Sequence, residues 1–393
     1  SNDHTNYYFC LSIYKEKETK DMKTKILLIL ILSIIFLSGC WDMVEINQRL
    51  FVSRAGIDLN KESGMNKYIV TYVYPNINAI GKNATETKGK FVVSTPCSSI
   101  FQAGKEFSTQ VEFPFYYKHL KVLVIGEELA KEQKLLRQAI DGLNRDTKIN
   151  KKVQILVAEG KAKDILEEDP DIEQATEGTI YNILKDNKSA SRFTPQTLTG
   201  VIKDSDFCCV TLVPKIVKKE KEFQISGGAI LKNYELIGWI GEKENRALAL
   251  MRNKIKVELI DTPYKDTIIS YTATGASSKK EITIDDEVNV DLMVSLEGYL
   301  QGYTMEENKT SYDIEILEDM ESAIEKEVKK EIENTIDLLQ NKYNSDLIGI
   351  GEQLSKFNPK EWSEIKEDWV NIFPDVKFNV TVNAKIRRTG LTK

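Results

Sequence analysis

The chain has 393 residues, of which 41% are apolar and 29% charged, and its 60 acidic and 54 basic side chains leave a net charge of −6. That apolar fraction supports packed cores, and the length suits two or three domains at roughly 100–200 residues each. Nucleic-acid binding calls for clustered Lys and Arg, usually at a pI above about 9; a pI of 5.4 with both signs interspersed gives no basic face, and no nucleic-acid partner is expected.

The first residue is Ser1, and Met22 reads as the initiator, so residues 1–21, with the mixed charges Lys15, Glu16, Lys17 and Glu18, read as an upstream extension or a misassigned start. Residues 22–39 have the parts of a secretory leader: Lys23 and Lys25, an apolar run from Ile26 to Leu37, and small residues at Ser38 and Gly39. A spanning helix needs about 20 apolar residues, and this run ends sooner, at Trp41-Asp42. Leu37-Ser38-Gly39-Cys40 has the form of a lipobox, in which small residues admit a peptidase and the thiol of Cys40 takes the lipid; two acyl chains, palmitate among them, hold a protein firmly on a bilayer.

Beyond the anchor, period-2 alternation predicts strands at Leu50 to Asp58 and Lys67 to Tyr74, joined by a turn at Lys61 to Gly64. A loop over Gly81 to Lys90, a helix over Ser98 to Thr109, a strand over Lys121 to Ile125, one or two helices over Glu127 to Leu143 and a strand over Val153 to Val157 follow, with another helix starting at Lys161. These make an N-terminal α/β domain over 40–203. Strands at Val210 to Val217, Glu222 to Leu231 and Leu236 to Ile240 predict a small β-rich middle domain over 204–262. The C-terminal α+β domain, 263–393, has strands from Thr267 and from Val288, then a long amphipathic helix whose stripe runs through Ile314, Leu317, Ile324, Val328, Ile332, Ile336, Leu339 and Tyr343. That stripe reads most simply as a helix laid on a sheet, and more sharply as a coiled-coil surface. A helix around Glu361 to Asn371 precedes a last strand alternating through Val376, Phe378, Val380, Val382, Ala384 and Ile386. The whole is a multi-domain α+β fold, with antiparallel sheets packed by helices.

Candidate chemistry is sparse. The only histidines are His4 and His119; His119 precedes a strand, where a structural role is expected, and no nucleophile-elbow sequence accompanies it. Cys97, Cys208 and Cys209 lack CxxC spacing, so no zinc or thioredoxin-like site is supported; one bridge from Cys97 is possible, and adjacent half-buried thiols on a strand are the plainer account of the other two. Gly349-x-Gly351 follows a helix where a phosphate cradle would follow a strand. Gly227-Gly228 reads as a bulge, and the acids Glu167, Glu168, Asp169, Asp171 and Glu173 lack calcium-loop spacing. No catalytic residue, metal or cofactor is expected, and the protein is not expected to be an enzyme.

Three separated stretches resemble one family. Gly39-Cys40-Trp41-Asp42 with Glu45-Ile46-Asn47, the run from Gly227 to Asn245 with its Gly-Trp turn, and the run from Asp346 to Phe373 with the terminal Arg388-Thr389-Gly390 are similar to the spore germination Ger(x)C lipoproteins, the C subunits of nutrient germinant receptors. The resemblance implies a three-domain lipoprotein on the outer leaflet of the spore inner membrane, lipidated at Cys40 and assembled with integral-membrane A and B subunits, with a structural or coupling role and no nutrient binding of its own. The alternative is an extracytoplasmic lipoprotein that captures a small-molecule nutrient directly.

Overall fold

The computed structural model describes residues 48–62, 64–76, 89–168, 178–185, 192–220, 222–255, 257–302 and 314–389, together with residues 22, 23 and 25. The chain divides into two units, Ser1–Arg49 and Leu50–Lys393, and every strand and helix named here lies in the second.

In chain order these are β1 (Leu50–Phe51), β2 (Arg54–Leu59), β3 (Tyr68–Pro75), β4 (Lys90–Cys97), α1 (Ile100–Phe107), β5 (Phe115–Tyr116), β6 (Val122–Ile125), α2 (Glu127–Ala130), α3 (Gln133–Arg145), β7 (Gln154–Glu159), α4 (Ala162–Glu168), α5 (Thr179–Lys185), β8 (Gln196–Thr197), α6 (Leu198–Cys208), β9 (Val210–Lys219), β10 (Glu222–Lys232), β11 (Glu235–Ile240), α7 (Glu242–Met251), β12 (Glu258–Tyr264), β13 (Thr267–Ile284), β14 (Val288–Gly302), α8 (Ile314–Asp337), α9 (Ile350–Phe357), α10 (Pro359–Ile365), α11 (Trp369–Ile372) and β15 (Lys377–Thr389).

The first sheet has the order β11-β10-β9-β7-β6-β2-β3-β4, with β8 beside β7. Its centre, β9-β7-β6-β2, is parallel and its flanks antiparallel. The central strands read as unbroken apolar runs because both faces are covered: Leu123, Ile125, Ile155 and Val157 enter one core, while Val122, Val124, Leu156 and Ala158 enter the opposite one. Helix α4 is held at both ends by this sheet. The carboxylate of Asp58 on β2 accepts from the backbone of Ala162 (2.7 Å) and Lys163 (3.0 Å), and the ammonium of Lys90 on β4 donates to the carbonyls of Leu166 and Glu167, satisfying orphan groups at each helix end.

The three strands expected to stand as a middle domain have no sheet of their own. β9 pairs in parallel with β7 and continues the first sheet through β10 and β11. Gly227 forms the expected bulge at φ +67, and a Cβ there would lie 2.1 Å from the Ile240 carbonyl oxygen.

The second sheet, β12-β13-β14-β15, is antiparallel except for its last pair. β14 and β15 run parallel because α8 connects them, and a crossover of that length returns the chain to the starting end of the sheet. The α+β class is therefore as expected, with mixed sheets in place of wholly antiparallel ones. The α8 stripe lies on the sheet, as the plainer reading required: Met320, Ile324, Val328, Ile332, Ile336 and Leu339 are buried against Val290, Leu292, Val294, Val380 and Ala384. Ile314 stays exposed. The core under the second sheet also takes in Val210, Leu212, Ile230 and Ile240 from β9 to β11 and the apolar side chains of α7.

Candidate functional site

Cys40 and its lipobox lie outside the described residues. His119 sits in a short turn before β6, with its imidazole 5.3 Å from the ring of Phe51 and 5.7 Å from that of Tyr116. Cys97, Cys208 and Cys209 are free thiols. The last two are not on a strand. Cys208 ends α6, and Cys209 turns the chain into β9 at φ +58. Burial pushes the Cys97 thiol up to about 11, and burial reinforced by Asp346 and Glu352 pushes the Cys208 thiol up to about 12, so the reactive thiolate is scarce at both near neutral pH. Among the described residues, no group of His, Cys, Asp and Glu is placed to hold a metal ion, and no helix is long and apolar enough to cross a membrane.

The run from Asp346 to Phe373 contains the most specialised local geometry. Gly349 lies at φ +84 and opens α9. The three successive amides of Gly349, Ile350 and Gly351 converge, as they would on a phosphate. Their acceptor is instead the chain's own Asp346: Oδ1 takes Gly349 (2.8 Å) and Ile350 (3.1 Å), while Oδ2 takes Gly351 (2.8 Å) and the indole N–H of Trp369 (3.2 Å). Asp346 as a whole is 7% exposed. Gly351 must lack a side chain because a Cβ would stand 2.8 Å from the Trp362 ring and 3.0 Å from Trp369 Nε1. The Gly-x-Gly is thus a helix start sealed by an internal anion, with two tryptophans packed over it.

The second glycine motif belongs to the same junction. Gly238-Trp239 lies within β11, not in a turn, and Gly238 leaves room for Tyr343, whose ring a Cβ would meet at 2.3 Å. The Tyr343 hydroxyl donates to the Trp239 carbonyl (2.8 Å), and the Lys232 ammonium donates to that of Asn344 (2.6 Å). The end of α8 is so fastened to the edge of the first sheet.

Beside this junction a cleft of about 440 Å³ opens between α6, the segment after α7, β13 and α9. Lys203, Arg252, Lys254, Lys280 and Lys356 line it, with Asp204 and Glu352 as its acids. It adjoins a recess of about 120 Å³ walled in part by Phe207, Cys208, Val210 and Leu347. Sequence reasoning missed these cations because they come from four separated segments, and only Arg252 and Lys254 are near one another along the chain. A separate apolar cavity of about 430 Å³ lies under α1, lined by Tyr72, Phe115 and Tyr117 with Asp146 and Lys148; burial holds the Tyr72 phenol well above its ordinary range.

Two family profiles match the chain, the spore germination protein N-terminal domain over residues 42–210 and the C-terminal domain described as spore germination B3/GerAC like over residues 226–390. These two matches define the class of protein to which the two-sheet fold belongs. The chain belongs to the Ger(x)C spore germination family. Among its relatives, spore germination protein B3 of Bacillus subtilis (strain 168) is 23% identical over 90% of this chain and 95% of its own, and spore germination protein KC of the same organism is 25% identical over 94% and 96%. The crystal structure of the GerBC protein shares the fold, with a TM-score of 0.59 at 18% identity, covering 85% of this chain and 97% of that one.

Proposed function

We propose that the protein is the non-catalytic, lipid-anchored C subunit of a spore nutrient germinant receptor, held on the outer leaflet of the spore inner membrane through Cys40 and required for germination by coupling or assembling the integral-membrane A and B subunits. The observation that carries this reading is positional. The N-terminal family match begins at Asp42, two residues past the Cys40 of the Leu37-Ser38-Gly39-Cys40 lipobox, and the C-terminal match then covers residues 226–390. The non-catalytic part is supported by the chemistry of the few candidate groups: His119 packs its ring on aromatic neighbours, and the Cys97 and Cys208 thiols are held protonated. Replacing Cys40 by Ala is expected to move the protein from the spore membrane fraction to the soluble fraction and to slow nutrient-triggered germination. Membrane retention of Cys40→Ala, or mass spectrometry finding an unmodified Cys40 sulfur in the native protein, would refute the anchor.

A further inference from the structure

The cleft beside α9 is chemically unlike the rest of this acidic chain. Five of its charged lining groups are cationic and two are acidic, and both acids are already engaged. Glu352 faces Lys356 at 2.9 Å and Lys203 at 3.6 Å, and Asp204 accepts from the Gln196 amide at 2.8 Å and the Thr211 hydroxyl at 3.1 Å. Asp346, at the floor of the adjoining recess, is saturated by its four N–H donors. Lys280 donates to the Ile348 carbonyl at 3.3 Å. Among the described residues, the side chains of Arg252 and Lys254 have neither a carboxylate within ion-pair distance nor a hydrogen-bond acceptor, although both line the cavity. Desolvation holds the ammonium groups of Lys254 and Lys280 below their ordinary range; Arg252 adds to it, and the carboxylates of Asp204 and Glu352 at Lys254 and of Asp346 and Glu352 at Lys280 offset it only in part.

Converging cations of this kind repel one another, and a negative charge placed among them relieves that repulsion. Arg252 offers a planar fork matched to the paired oxygens of a carboxylate or phosphate, and lysines around it supply point charges. The volume falls in the range of about 300–1,000 Å³ typical of small-ligand sites, and the side recess adds an apolar wall.

We propose that this cleft binds a small anion bearing a carboxylate or phosphate group, with Arg252 and Lys254 as its principal contacts and Lys203, Lys280 and Lys356 around it. Because Lys203 lies on α6, packed on the first sheet, and the other four come from α7's end, β13 and α9, the bound anion bridges the two sheet systems. The inference stands on this geometry and not on the germination role.

The test is calorimetric titration of the full chain, solubilised in non-ionic detergent, with inorganic phosphate in one arm and citrate in the other. Saturable one-to-one binding in at least one arm is expected; the arm that binds tighter identifies the head group. Arg252→Ala/Lys254→Ala should weaken binding at least tenfold, whereas Lys329→Ala/Lys330→Ala, on α8 and outside the cleft, should not change it. Arg252→Lys keeps the charge and loses the fork, so an intermediate affinity is expected, and this milder variant decides the matter if the alanine pair does not fold. No saturable heat in either arm up to about 10 mM, which corresponds to a binding free energy weaker than about −3 kcal/mol, overturns the proposal, as does equal affinity in the Arg252 and Lys254 variants.

Discussion

At the residue scale, Asp346 concentrates more structure than any other side chain. One carboxylate satisfies three backbone amides and an indole in a nearly dry setting. Asp346→Ala would leave those donors buried without acceptors, each costing about 1–3 kcal/mol; allowing for water entry through the neighbouring recess, a loss of about 3 kcal/mol is expected in urea unfolding. Asp346→Asn retains one oxygen and should lose less. Equal stability of Asp346→Ala and the native chain would show that the seal does not matter. The sequence displayed Gly349 and Gly351 but not what they faced, because the answer depends on a carboxylate three residues upstream folding back and on Trp369 arriving from a later helix. The cleft was less legible still: Lys203, Arg252, Lys254, Lys280 and Lys356 are ordinary surface residues until β13 and α9 are brought alongside α6. By contrast, the bulge at Gly227 could be read directly, since a paired glycine between the strand-like stretches Phe223 to Ile225 and Ala229 to Leu231 has few other uses.

At the element scale, the structures that depend on a long periodic signal are the ones the sequence announced. β14 alternates through Val288, Val290, Leu292, Val294 and Leu296, and all five are buried; α8 repeats its stripe over six turns. Short or weakly patterned elements escaped. α7 has no clean stripe because nearly all of its C-terminal half is buried, so an all-round apolar segment carried no period to detect. α9 was hidden by its glycines. α8 also protects the outer strand of its sheet, where the carboxylates of Glu325 and Glu321 accept from the backbone of Ala384 (2.9 Å) and Ile386 (2.8 Å), blunting an edge that would otherwise template further strands. The tie between α7 and α8 is Arg246, whose guanidinium donates from Nε (3.0 Å) and Nη2 to Glu331 and from Nη1 to Glu258 (3.4 Å) and the Leu259 carbonyl (3.3 Å). Glu331 is 6% exposed. Removing one member of such a pair strands a buried charge, at about 3–5 kcal/mol; Lys243, 3.8 Å from Glu331 but largely exposed, softens this. Arg246→Ala is therefore expected to lose about 3 kcal/mol by chemical denaturation, and Arg246→Leu/Glu331→Leu to recover much of it. A double variant no better than the single one would show that the pair is not acting as a unit.

At the scale of the whole molecule, the question is where the chain could be cut. Composition and strand spacing placed boundaries at 203/204 and 262/263, but the family profiles part between residues 210 and 226, inside the β9–β10 hairpin. The sheet order gives a reason why no cut near 203 suits the fold. β9 lies against β7 in the parallel centre of the first sheet, and Val213, Ala229 and Leu231 fill the same core as Leu123 and Ile155. On its other side, the β9–β11 segment sends Leu212, Ile230 and Ile240 into the core beneath the second sheet. A fragment ending at residue 203 would thus open the edge of β7 and strip one wall from each core of the first sheet. Unpaired central strands and exposed apolar faces drive association. Such a fragment, starting at Leu50, is expected to aggregate or bind a hydrophobic dye and to melt without a sharp transition, while a fragment extended to Met251 restores β9 to β11 and α7 and should regain cooperativity. A soluble, sharply melting 50–203 fragment would mean that the first part of the chain folds by itself, and that the continuous sheet is an assembly of two independent units in which the later strands merely dock.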